Sequence, residues 1–144
     1  MKWVFNDGGR LASGFKCMSG DCVTRSIAIA TKKPYREVFD KLNLLAENER
    51  PKGKKKRSNS NNGVYKKTYK KYIASLGWEW VPTMQIGSGC KVHLKENELP
   101  NGILIVEVSK HVTCVIDGVI FDTHDPSRDG KRCVYGYWRS QLTF

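Results

Sequence analysis

ILIVEV at 103–108, followed by HVTCVIDGVIFDT at 111–123, is the stretch whose reading decides the fold. Ile103 to Val108 is an apolar run short enough to be a buried strand. Asp117-Gly118 supplies the positive φ angles that a tight hairpin turn needs, so His111 to Ile116 and Val119 to Thr123 read as its two arms. With a two-residue turn, residue 113 pairs with 122 and residue 111 with 124. Side chains alternate along a strand. His111, Thr113, Asp122 and His124 therefore share one face, and Val112, Cys114, Ile116, Val119 and Phe121 share the other. An extra bulge residue in the turn would flip the parity and bring Asp125 to the His111 face instead.

Outward from the hairpin, Cys133 to Trp138 reads as a last strand and Trp78 to Val81 as a short one. The first half has a different period. Asp21 to about Thr31 reads as a helix, with Val23, Ile27 and Ala30 at helical spacing and Asp21 as an N-cap whose carboxylate accepts from free backbone N–H groups. Pro34 opens a second helix with an apolar stripe of Tyr35, Val38, Phe39, Leu42 and Leu45. A third, from about Val64 to Leu76, buries Tyr65, Tyr69, Tyr72, Ile73 and Leu76, turns Lys66, Lys67, Lys70 and Lys71 to water, and stops at Gly77. Residues 1–20 read as irregular. Helices first and an antiparallel sheet afterwards make the fold class α+β. The 144 residues suit one domain, and no internal repeat is visible.

The chain carries a formal charge of +11, placed unevenly. Residues 50–71 hold ten of the 25 basic residues and no acid, which leaves 15 basic against 14 acidic elsewhere. Residues 50–62 have no large apolar side chain and read as a mobile basic loop. Lys54, Lys55, Lys56 and Arg57 are its candidate partner-binding residues, suited to phosphates or to an acidic protein surface. No zinc-finger, RNA-recognition or helix-turn-helix signature accompanies them. No apolar run approaches the length of a membrane span, and the N-terminal residues lack a signal peptide's apolar stretch, so a cytoplasmic protein with no membrane partner is expected. Five cysteines without a signal peptide read as free thiols, with Cys90, Cys114 and Cys133 as small buried hydrophobes. The spacing of Cys17 and Cys22 has no second close pair to answer it, so neither metal nor cofactor is expected.

Cys22 stands at the first turn of its helix, where free N–H groups and the helix dipole stabilise a thiolate. Of the three histidines, His93 reads as surface and His111 as the candidate base. Asp122 lies diagonal to His111, near enough to hold its imidazole in one tautomer and stabilise the imidazolium, with Asp125 as the alternative. Cysteine at a helix start, histidine at a strand start and aspartate on the next strand together point to thiol-based acyl transfer.

This order resembles the papain-like cysteine peptidase superfamily, including the leader peptidases of bacteriocin transporters and transglutaminase-like folds. Gly20 to Ala28 looks like the nucleophile segment, Lys110 to Gly118 like the histidine strand and Asp122 to Ser127 like the third member's strand. The segments also look like those of small uncharacterised phage and bacterial proteins of similar length. The resemblance implies a papain-like domain over residues 1–144, with the nucleophile helix packed on the C-terminal sheet. It implies a peptidase or related amidohydrolase or transamidase acting through Cys22, His111 and Asp122 or Asp125 on a protein or peptide. Asp125-Pro126 resembles the leader-peptidase form, and the spacing from the turn favours Asp122. The family's oxyanion glutamine is replaced here by Lys16, so either Lys16, the Cys22 backbone N–H or another donor such as Asn6 fills that role, or the oxyanion hole is incomplete. The alternative is a non-catalytic basic binding protein, phage-encoded, that engages nucleic acid or an acidic protein partner.

Overall fold

The computed structural model describes residues 1–16, 20–50, 56–85 and 87–140. Along the chain its elements are β1 (Trp3–Phe5), α1 (Cys22–Thr31), α2 (Tyr35–Ala46), α3 (Lys66–Ser75), β2 (Trp78–Pro82), β3 (Ile103–Val108), β4 (His111–Ile116), β5 (Val119–Asp122) and β6 (Val134–Ser140). The strands form one six-stranded sheet in the order β1-β5-β4-β3-β6-β2. This is an α+β architecture. No helix among the described residues is long and apolar enough to cross a membrane.

The β4–β5 hairpin has the predicted register, with Cys114 opposite Phe121 and Ile116 opposite Val119. Asp117 and Gly118 take φ angles of 48° and 79°, the left-handed pair that a two-residue turn requires. The neighbours β3–β4, β3–β6 and β2–β6 are also antiparallel. β1 is the exception. It lies parallel to β5, with Trp3 opposite Ile120 and Phe5 opposite Asp122. The sheet is therefore mixed, which corrects the expectation of an antiparallel sheet drawn from the C-terminal half alone. All three β1 side chains are exposed, so the segment has no alternation for a sequence pattern to register.

The sheet buries both faces. On one, Val23 and Ile27 of α1, Val38 and Leu42 of α2, and Tyr72 and Ile73 of α3 pack against Ile105, Val112, Cys114 and Trp138. On the other, Leu94 and Leu99 cover Leu104, Val106, Val115, Ile120 and Val134. Each fully buried aliphatic side chain contributes roughly 1.5–3 kcal/mol over its exposed state. At the β2–β6 edge the Trp80 ring lies over Gly136, where a Cβ would come within 2.4 Å of ring carbons.

Three local expectations are corrected. Asp21 occupies the N-cap position of α1 but makes no side-chain capping bond; its buried carboxylate is taken by ion pairs instead. The loop expected over 50–62 is well packed at its C-terminal end. Ser58 and Ser60 are buried, Ser60 Oγ donates to the Phe39 carbonyl, and Thr24 Oγ1 donates to the Ser60 carbonyl at 2.8 Å. Polar side chains bonding to backbone hold this stretch, and a hydrophobicity reading cannot detect that. Cys90 and Cys133 are not free thiols. They form a disulfide with Cα atoms 5.8 Å apart, brought together where His93 bridges Cys133.

Candidate active site

Three element ends meet at one place: the first residue of α1, the first of β4 and the last of β5. They carry Cys22, His111 and Asp122. α1 packs along β4, and Ser26 Oγ donates to the Val112 carbonyl at 3.0 Å, which fixes the helix start beside the strand start. His111 Nε2 lies 2.7 Å from Asp122 Oδ2. Cys22 and His111 also interact, and each shifts the other's titration.

Burial opposes charge on all three groups, and their mutual contacts outweigh it. Desolvation would raise the Cys22 thiol, but the His111 hydrogen bond and charge, the Val112 backbone and Arg25 bring it below the ordinary 9.0. Desolvation would lower His111, but bonds to Asp122 and Cys22 carry it up to about 9. Desolvation would raise Asp122, but His111, Thr113 and the Thr123 N–H hold it down to about 2. These directions favour a thiolate–imidazolium pair backed by an ionised carboxylate. Cys114, buried in the sheet, goes the other way, to about 12 through desolvation and the Asp122 charge.

Asp122 is held from four sides. Thr113 Oγ1 donates to Oδ2 at 2.7 Å, and the Thr123 N–H donates to Oδ1 at 2.7 Å. Arg25 Nη2 reaches Oδ1 at 3.2 Å, and His111 takes the remaining side. Arg25 also pairs with Asp21, whose other oxygen accepts from the Tyr35 hydroxyl at 2.6 Å. Arg10 donates to that hydroxyl at 2.8 Å and lies 3.5 Å from Asp21. A buried polar network thus runs from Arg10 to the thiol.

Cys22 opens into a cleft of about 700 Å³ whose walls include Gly20, Asn62, Tyr65, Tyr69, Glu107 and Tyr135. Gly20 is required there, since a Cβ would lie 2.8 Å from the Asn62 carbonyl oxygen. Tyr65 also lines a second cavity of about 650 Å³, together with Arg50, Lys56, Arg57, Lys67, Lys71 and one acid, Glu49.

His111 and Asp122 thus meet on the face that hairpin parity gives them, and the packing of α1 on β4 brings Cys22 to them. Asp125 is exposed and accepts from the Ser127 N–H at 2.9 Å in its own turn. Lys56 and Arg57 line the basic cavity, whereas Lys54 and Lys55 lie outside the described residues, as does Cys17. Lys16 is exposed, and Asn6 Oδ1 accepts from the Gly8 N–H at 2.8 Å. Neither is among the residues lining the cleft. His111, Asp122 and His124 could offer ligand atoms within 4.8 Å of one another. The Arg25 guanidinium already at Asp122 opposes a further cation there.

Sequence reasoning missed Arg25, Tyr69 and Glu107. Arg25 and Glu107 had a readable signal, a lone charge within an otherwise apolar helix face or strand run, which burial without a partner would forbid. Compared with protein-family models, curated proteins and solved structures, the chain matches none of them.

Proposed function

We propose that this chain is a cysteine-dependent acyl-transfer enzyme of papain-like type, acting on an amide of a protein or peptide. The observation that carries the reading is the placement of Cys22 and His111 on one cleft wall, with Asp122 2.7 Å from His111 Nε2 behind it. A cysteine-initiated helix packed on a sheet, with histidine and aspartate on successive strands, supports the papain-like form.

The chemistry follows from the charges. The Cys22 thiolate attacks the substrate carbonyl carbon, a C–S bond forms, and the carbonyl π pair moves to oxygen. The N–H groups at the start of α1 stabilise that oxyanion. The tetrahedral adduct collapses, the C–N bond breaks, and His111 Nδ1–H protonates the departing amine. Water, or an acceptor amine, then attacks the thioester and gives its proton to His111, and the thiolate leaves. Asp122 stays ionised throughout, orienting the imidazole. Water as acceptor gives peptide hydrolysis or side-chain deamidation, and an amine gives transamidation. Peptide hydrolysis is the form put forward.

The test is iodoacetamide alkylation of each cysteine against pH. Cys22 should react fast near pH 6 and lose that advantage in His111→Ala. An ordinary thiol profile at Cys22 would sink the catalytic reading.

The basic cavity favours a second reading, a non-catalytic protein that engages nucleic acid or an acidic protein surface. On that reading Cys22→Ala keeps the partner, and Arg57→Glu with Lys67→Glu and Lys71→Glu loses it. Binding should also weaken steeply with salt.

A further inference from the structure

Glu107 is the only charged residue in the β3 run, and it is 2% exposed. Its Oε1 accepts from the Tyr69 hydroxyl. Its Oε2 is buried with no hydrogen-bond partner, and the Lys66 ammonium stands 3.4 Å from it. Glu107, Tyr69 and Lys66 line the same cleft as Cys22, and the Cys22 charge is felt at the Tyr69 hydroxyl. The β3–β6 ladder slips between Glu107 and Val108, which pair with Gly136 and Val134 and leave Tyr135 over. Bulges of this kind re-aim side chains beside functional sites, and Tyr135 also lines the cleft.

A buried carboxylate oxygen without a donor is costly, so its persistence at a cleft wall needs a reason. Lys66 offsets the charge only loosely. Its side chain is 53% exposed, and the nearby Trp80 ring is approached more closely by the Lys70 ammonium, at 4.9 Å, than by that of Lys66, at 5.8 Å. The ammonium can therefore leave Glu107 for water. Whatever replaces it must also be cationic, because a neutral N–H donor would leave the buried carboxylate charge uncompensated.

Resting on the acyl-transfer reading above, we infer that Glu107 and Tyr69 form a subsite for a cationic group of the substrate, an ammonium or guanidinium close to the bond that Cys22 attacks. Lys66 holds that subsite until the substrate displaces it. The enzyme thus prefers a lysine- or arginine-like side chain next to the reacting carbonyl.

Cys22 can report on the subsite directly. The full chain is treated with methanethiosulfonates of similar size carrying an ammonium, no charge or a sulfonate. The thiolate displaces methanesulfinate to form a mixed disulfide, and the rate is read by mass on the Cys22 peptide. Glu107→Gln keeps the shape and should cut the ammonium-to-neutral rate ratio by about tenfold. Lys66→Met changes an exposed side chain and should raise that ratio by about threefold, the neutral rate of each variant serving as its own reference. An unchanged ratio in Glu107→Gln overturns the subsite. So does an equal fall for all the reagents, or a sulfonate rate that rises by the same factor, which is what a long-range field alone would give. The acyl-transfer reading fails separately, if the neutral reagent modifies wild type no faster than His111→Ala.

Discussion

Arg25 Nη2 meets Asp122 Oδ1 at 3.2 Å, and both side chains are buried. Arg25 lies on the helix that Cys22 opens, and Asp122 ends the strand that carries the third group of the site. One ion pair thus ties the helix that Cys22 opens to the carboxylate that holds His111. Asp21 takes the other side of Arg25, and Arg10 with Tyr35 closes the chain, so two buried guanidinium groups face two buried carboxylates.

Arg25→Met should therefore act at two levels. It leaves Asp21 and Asp122 buried with less compensating charge, a loss of about 3–5 kcal/mol when a buried pair is broken. It also removes one of the charges that lower the Cys22 thiol. Urea denaturation should report the first effect. A shift of Cys22 alkylation to higher pH should report the second, and an unaltered profile would mean that Arg25 is only structural.

The pH dependence should separate the two protons of the site. Alkylation needs only the thiolate, so its rate should rise below the ordinary thiol value of 9.0 and then level off. Acyl transfer also needs the imidazolium, so turnover should fall as pH rises through about 9. A rate that keeps climbing above that value would place the leaving-group proton elsewhere.

Asp122 should contribute to acid stability. Its folded value of about 2 lies below the ordinary 3.8. The contribution is therefore complete above the unfolded value and lost as pH falls through the folded one. The shift corresponds to about 2 kcal/mol. Asp122→Asn should be less stable than wild type at pH 5, with the gap narrowing toward pH 2 in denaturant titrations.

Gly136→Ala should destabilise the far edge of the sheet. The added Cβ would meet the Trp80 ring at 2.4 Å and the Val81 carbonyl oxygen at 2.8 Å. Overpacking of this kind costs about 1–3 kcal/mol. The melting temperature should fall while Cys22 alkylation keeps its pH profile.

The Cys90–Cys133 disulfide closes a sequence separation of 43 residues. Replacing both by serine should cost about 2–4 kcal/mol, read by thermal melting. In the native chain these two cysteines should resist iodoacetamide until reduced.

Much of the site's layout was legible in the chain. Asp117-Gly118 favoured a two-residue turn, whose parity puts Asp122 on the His111 face, and the bulged alternative that would bring Asp125 there was removed only by the register of β4 and β5. The stripes of α1 and α2 followed from helical spacing. β1 was not legible, because three exposed side chains paired by backbone alone leave no pattern. The wall at Ser58 to Gly63 was not either, since its burial rests on hydrogen bonds to Glu49, Phe39 and Thr24 rather than on apolar content.

The sequence by itself determined the three helices, the five strands that follow them and the residues competent for thiol chemistry, because those depend on neighbours a few positions apart. Tertiary structure decided what surrounds each charge. Asp21 became a partner of Arg25 rather than a helix cap, Glu107 became a cleft acid beside Tyr69, and two presumed free thiols became a disulfide. The physical reason is that burial makes an unpaired charge or polar atom costly, and the partner that relieves the cost comes from wherever packing brings one. Arg25 and Asp122 meet across 97 residues of chain, a separation over which no local pattern operates.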